Sequence, residues 1–189
     1  MKENVSMSEM SLPMFTYHPD PVASGSVVPS DKSCVACQQV RGWIYVGPVY
    51  SEAEIDEALC PWCIADGTAH RLFGAEFVDR EAVGDYGRLE AVSSAVLEEI
   101  VFRTPSFCGW QQERWLTHCG DASLFLGLAG SQELKGADPE VRHSIAEDSG
   151  FQGEDLSDYL DSLDRDYGPT AYLFRCRHCG RWSAYSDIA

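Results

Sequence analysis

Three cysteine pairs of identical spacing, Cys34/Cys37, Cys60/Cys63 and Cys176/Cys179, constrain what this chain can fold into more than any other feature. Two cysteines three apart in a tight turn can aim both sulfurs at one ion, each about 2.3 Å from it. Where thiols are kept reduced, such pairs are metal ligands more often than disulfides. The first two pairs read Cys-x2-Cys, 22 residues, Cys-x2-Cys. This approximates the spacing of a structural four-thiolate zinc site, so Cys34, Cys37, Cys60 and Cys63 are expected to hold one Zn2+.

The flanking residues suggest how. Arg41 to Pro48 is an aromatic and β-branched run closed by Gly47-Pro48, as in a hairpin. Ser51 with Glu54 three residues later has the form of a capping box, predicting a short acidic helix to Leu59. Pro61 after Cys60 starts a second helix, with Ile64, Thr68 and Leu72 along one face. A knuckle, a hairpin and a helix carrying the last two ligands is a treble-clef-like layout. The competing reading makes Cys60-Pro61-Trp62-Cys63 a redox dithiol, which needs a βαβ setting and leaves Cys34/Cys37 idle.

The third pair sits between alternating apolar residues, Tyr172 to Trp182, and reads as a hairpin with a zinc knuckle at its tip. Two sulfurs are not a site. Cys119 is the expected third ligand of a second Zn2+, with a fourth from His118, Cys108, His18 or water. His118 and Cys119 are adjacent, so ligation by both demands an unusual backbone. A buried pair of free thiols is the alternative.

Composition bounds the rest. The 189 residues, 44% hydrophobic and 11% aromatic, are globular in character, with no apolar run of membrane-spanning length. The start lacks the apolar stretch of a secretory signal, giving a cytoplasmic expectation. A formal charge of −16 repels phosphate backbones and anionic membranes, so neither nucleic acid nor membrane is an expected partner. It suits a basic protein.

Helices are expected from Leu89 to Phe102, from Asp121 through Leu128, from Asp138-Pro139 to Ser149-Gly150, and along Leu156, Tyr159, Leu160 and Leu163. The fold class is therefore α+β, a small zinc-stabilised fold with a C-terminal CxxC hairpin. Residues 1–14 are expected to be a flexible extension and 15–189 one domain. Within it, 15–80 would be the treble-clef-like module, 81–168 mainly helical and acidic, and 169–189 the knuckle hairpin.

In their order, several motifs resemble the CbrC family of bacterial proteins. They are Phe15-Thr16-Tyr17-His18-Pro19-Asp20-Pro21, Arg41-Gly42, Gly47-Pro48-Val49-Tyr50, Cys60 to Gly67, Arg103-Thr104-Pro105, Trp115 to Cys119 and Cys176 to Gly180. The resemblance runs from about Met10 onward. It implies a link to tolerance of a DNase-type colicin and a likeness to immunity proteins. It implies no catalytic residues.

Charge is concentrated. Between Asp138 and Gly168 ten acidic residues face two basic ones, half of the net excess. The plain reading is a solvated helix face. The sharper one is a surface for a basic toxin, such as a nuclease, built from Asp155, Asp158, Tyr159, Asp161, Asp164 and Tyr167, with the leucines packed inward. The expected function is then non-enzymatic: toxin neutralisation by direct binding. The alternative is a zinc-dependent enzyme or regulatory adaptor around Cys119, Cys176 and Cys179, with His118 and Asp121 as working groups. No phosphate loop, nucleophile elbow or paired-carboxylate pattern supports catalysis.

Overall fold

The computed structural model describes residues 11–188. The first two strands, β1 (Val27–Pro29) and β2 (Trp43–Tyr45), pair antiparallel with Val27 opposite Tyr45. The aromatic run at 41–48 is therefore one strand of a longer-range pair, not a hairpin on its own. Between the strands lies the first cysteine knuckle, closed by the Ser33–Val40 bridge.

The segment from Ser51 to Leu59, expected to be helical, is irregular. Its backbone bonds go elsewhere: Leu59 pairs with Tyr45, and the Ser51 hydroxyl donates to the Phe73 carbonyl. Long-range pairing has overridden the local capping signal. Pro61 does open a helix, α1 (Pro61–Ala65), but a left-handed Gly67 (φ 73°) separates it from α2 (Thr68–Phe73). The four-residue periodicity thus spans a break, and Leu72 is exposed. These elements enclose a first core cluster of Val27, Tyr45, Ile55, Leu59, Ile64 and Phe77, together with Cys34, Cys60 and Cys63. Leu12 packs against it, so this packing begins ahead of Phe15; residues 1–10 of the expected extension lie outside the described residues.

A 3-10 turn (Arg80–Ala82) leads to α3 (Ser94–Arg103). That helix starts five residues later than Leu89, where the Ser93 hydroxyl caps the Val96 amide at 3.3 Å. Residues 89 and 90 are held out of it by bonds from Leu89 to Gly84 and from Thr117 to Glu90. The short hairpin β3 (Thr117–His118) and β4 (Asp121–Ala122) follows. The apolar run expected to be a helix through Leu128 is a strand, β5 (Leu124–Ala129). A short apolar run without clear periodicity suits a buried strand as well as a helix, and here the aromatic core decided. Phe125 stacks on Phe107 at 3.8 Å and meets Phe174 at 5.3 Å.

After the turn of helix α4 (Ser131–Leu134) come α5 (Pro139–Ser149) and α6 (Gly153–Ser162), both close to expectation. Asp138 caps α5 and a left-handed Gly150 ends it. Strands β6 (Thr170–Arg175) and β7 (Trp182–Asp187) form the expected hairpin, and β5 joins as a third strand in the order β5-β6-β7.

The outer edge of β7 is not left to solvent. Glu140, Ser144 and Asp148 of α5 accept the amides of Trp182, Ala184 and Ser186 at 2.8, 2.9 and 3.2 Å. Four helical residues advance about 6 Å. Two strand residues advance about 6.7 Å, so the two ladders stay in step for three rungs. A sheet edge offers unpaired N–H groups to any passing strand, and here a helix satisfies them. No described helix is long and apolar enough to cross a membrane.

Candidate metal centres

The first centre forms where the knuckle meets the start of α1. Cys34 and Cys37 lie in a turn tightened by the Gln38 amide bonding to the Cys34 carbonyl, with Gln38 itself left-handed at φ 57°. Cys60 occupies the position before α1 and Cys63 its first turn, so Pro61 costs no hydrogen bond there. The four ligand atoms all lie within 4.8 Å of one another. Cys37 Sγ and Cys60 Sγ are 3.9 Å apart, far beyond a disulfide bond. A tetrahedron with metal–sulfur bonds of about 2.3 Å has edges of about 3.8 Å, so the spacing fits a dication such as zinc.

This centre is dry. Cys34, Cys60 and Cys63 are buried and Cys37 is half-buried. With protons as the only cations, the hydrogen bond from Cys60 holds the Cys34 thiol down at about 4. The same bond and burial push Cys60 far up, and burial with the Cys34 charge raises Cys63 to about 12. Four thiolates cannot share that space without a compensating cation.

The second centre joins two hairpins that are distant in sequence. His118, Cys119, Cys176 and Cys179 also bring their ligand atoms within 4.8 Å. His118 Nδ1 lies 3.2 Å from Cys119 Sγ and 3.4 Å from Cys179 Sγ. For zinc with one nitrogen and three sulfurs, a nitrogen–sulfur edge is about 3.5 Å. The adjacency of His118 and Cys119 is accommodated by backbone conformation. Cys119 (φ 57°) and Gly120 (φ 69°) are both left-handed between the paired His118 and Asp121. That is the form of a two-residue primed turn. The other pair lies in a knuckle closed by the Cys176 amide bonding to the Arg181 carbonyl and by left-handed Gly180 (φ 77°).

Unlike the first, this centre faces water: Cys119 and Cys179 are exposed, and only Cys176 is buried. Burial opposes ionisation of Cys176, yet hydrogen bonds from the Cys179 amide, the His118 side chain and further groups of the knuckle bring its pKa down to about 6. Partial desolvation and the neighbouring sulfurs lift Cys119 to about 11.

Of the candidates for the fourth position, the structure brings His118 and not the others. Cys108 lies beside Pro48, Tyr50 and Glu113. His18 is buried, with Nδ1 donating to the Pro105 carbonyl at 2.7 Å and Nε2 2.8 Å from the Ser24 hydroxyl. Burial depresses its pKa to about 4. Asp121 is not a free base either. Burial works against its charge, but bonds from Tyr17 at 2.7 Å, His178 at 2.8 Å and Arg177 at 3.1 Å outweigh it and lower its pKa. This network, which fastens the knuckle to the rest of the fold, carried no recognisable spacing because its members come from three segments.

The acidic segment divides in two. Asp138, Glu140 and Asp148 are engaged in the cap of α5 and the edge of β7, and Asp164 accepts the amides of Asp166 and Tyr167. Tyr159 is turned inward, bonding Ser186 and packing on Phe151, so it is not an exposed anchor. Asp155, Asp158 and Asp161 are exposed on α6, and Tyr167 is 80% exposed. Leu160 and Leu163 are buried as expected, and Leu156 is half-buried.

A family model described as an uncharacterised protein family, UPF0167, matches residues 12–188. A UPF0167 protein of Mycobacterium bovis is 47% identical over 184 residues, covering 94% of each chain, and one of Mycobacterium tuberculosis matches equally. A UPF0167 protein of Pseudomonas aeruginosa is 40% identical over 179 residues, covering 94% of this chain and 96% of its own. No solved structure matches.

Proposed function

The chain belongs to the UPF0167 family, and we propose that it is a zinc-stabilised binding protein that protects its cell by capturing a cationic toxin. Zinc is the ion of choice because both donor sets are thiolate-rich and of tetrahedral size. The first centre is read as the organising metal of a treble-clef-like module, and the two centres as parts of one folded unit. The motifs resembling the CbrC family support a role in tolerance of a DNase-type colicin.

The observation that carries the proposal is the outer face of α6. Glu154, Asp155, Asp158 and Asp161 are exposed, and among the described residues none pairs with a cation. Glu154 and Asp155 suit the first turn, but Asp158 and Asp161 stand in the later half, where the helix dipole disfavours anions. Asp158 also lies three or four residues from Glu154, Asp155 and Asp161, each like-charge pair costing a few tenths of a kcal/mol, about 1 kcal/mol together. A basic partner relieves that repulsion and is drawn in by it.

Association with the catalytic domain of a DNase-type colicin, followed by stopped flow, tests this directly. Reversing Asp155, Asp158 and Asp161 to lysine is expected to slow capture by about tenfold or more at low salt and flatten the salt dependence. Unchanged kinetics, or no capture by the parent protein, removes the proposal. The zinc-enzyme alternative is disfavoured because His118 and the three cysteines supply four donors, which fill a tetrahedral ion, and Asp121 is already tied.

A further inference from the structure

A cleft of about 470 Å3 lies between α5, β7 and the loop ending at Leu89, and His118 lines it. Its size falls in the range of small-molecule sites. Leu89, Leu116 and Trp182 supply apolar wall, with Leu89 left 40% exposed.

The polar groups around it are unevenly satisfied. Two of the four carboxylates on the wall are hydrogen-bonded within the protein. Glu140 holds the Trp182 amide, and Asp148 holds Arg114 through two bonds of 2.8 Å as well as the Ser186 amide. Glu147 faces His143 at 3.3 Å, and Asp85 lies 3.6 Å from Arg114, its buried Oδ1 making no hydrogen bond. The donors are not so occupied. Among the described residues, the Arg88 and Arg181 guanidinium groups make no hydrogen bond, and the carboxylate nearest Arg88 is 3.8 Å away. His118 turns Nδ1 toward the sulfurs, leaving Nε2 without a partner. Each guanidinium carries five N–H donors and no acceptor. The Arg88 and Arg181 guanidinium groups therefore lack acceptors, and an oxyanion would provide them.

The loop that delivers Arg88 and Leu89 is strained. Gly84, Asp85, Tyr86 and Gly87 are all left-handed, with φ of 85°, 51°, 55° and 81°. Asp85 and Tyr86, unlike the two glycines, pay a steric cost there. Bonds from the Gly84 amide to Trp115 and from Leu89 to Gly84 hold the turn. Strain of this kind persists where the surrounding structure enforces a particular aim.

We infer that this cleft is a binding site for a small molecule with a carboxylate or phosphate ester on an apolar body. Arg88 and Arg181 grip the oxyanion, and the body lies against Leu89, Leu116 and Trp182. With Nδ1 on the metal, the second ring N–H of His118 donates to the ligand, which makes the imidazole a stronger metal ligand. Occupancy and metal retention at the second centre are then coupled in both directions. The site is independent of the acidic face of α6.

Calorimetric titration of the full, metal-loaded protein with benzoate, phenyl phosphate and neutral benzamide tests the inference. At least one anion is expected to bind about tenfold or more tightly than benzamide, the worth of one charge-assisted bond. Whichever anion prevails identifies the headgroup. Arg88→Gln and Arg181→Gln should each weaken that anion severalfold with metal content and circular dichroism unchanged, while Arg71→Gln on α2 should not. Benzamide binding as well as the anions, absence of binding, or indifference to both arginine variants overturns the site. The bound anion should also slow loss of metal from the second centre to a chelator; an unchanged rate overturns the contact with His118.

Discussion

The two cysteine centres use the same Cys-x2-Cys element in opposite ways. In the first, both pairs lie within 30 residues of one another and the sulfurs form part of a hydrophobic cluster. In the second, a hairpin at 117–122 meets a knuckle nearly 60 residues later, and two of its three sulfurs are exposed. The same Cys-x2-Cys knuckle therefore serves two ends. A buried centre replaces core that a short, loop-rich segment cannot build, whereas an exposed one fastens elements that already pack elsewhere. The difference lies in what surrounds the sulfurs.

The largest expected effect tests that contrast. Cys60→Ser should abolish cooperative unfolding, because the free energy of a structural zinc site, about 10 kcal/mol, rivals the whole stability of a domain. Cys119→Ser should lower stability by only about 1–2 kcal/mol, measured by urea unfolding. Equal losses would erase the distinction.

Acid sets the range in which such measurements are clean. His18 has a folded pKa of about 4 against an ordinary 6.5, because burial penalises its charge. Below pH 6.5 the unfolded chain takes up a proton that the folded chain refuses, so stability present above pH 6.5 is lost as pH falls toward 4. The loss is on the order of 3 kcal/mol. Unfolding free energies of the parent and His18→Gln between pH 7 and pH 4 should diverge by that amount; parallel curves would reject it. Comparisons of the two centres therefore belong above pH 6.5.

The smallest perturbation needs no mutation. Brief N-ethylmaleimide treatment followed by peptide mapping should label Cys119 and Cys179 at least about tenfold faster than Cys34, Cys60 and Cys63. Uniform labelling would mean that the first centre opens as readily as the second.

What the sequence made legible was whatever is decided locally. Cysteines three apart declare a turn, Asp138-Pro139 declares a helix start, and the stripe from Leu156 to Leu163 declares a buried face; all three survive in the structure. The failures share a cause. Ser51 and Glu54 have the form of a cap, but Leu59 is committed to Tyr45 across the first core. The run at 124–129 is claimed by β6, a strand more than 40 residues away. Nothing in one dimension separates His118 from His18 as a ligand, because only the fold gives Cys119 its left-handed backbone. The acidic block looked uniform for a related reason: sequence counts carboxylates but does not separate those holding β7 from those facing solvent.

The grip of α5 on β7 also bears on the order in which the molecule is built. The helix leaves the ribosome before the strand whose amides it holds, and domains begin to fold as they emerge. Glu140, Ser144 and Asp148 thus precede in the chain the strand whose amides they accept. When the final strand arrives it enters a slot with one side offered by β6 and the other by the helix. Once the strand is seated, that last edge is closed to a neighbouring chain.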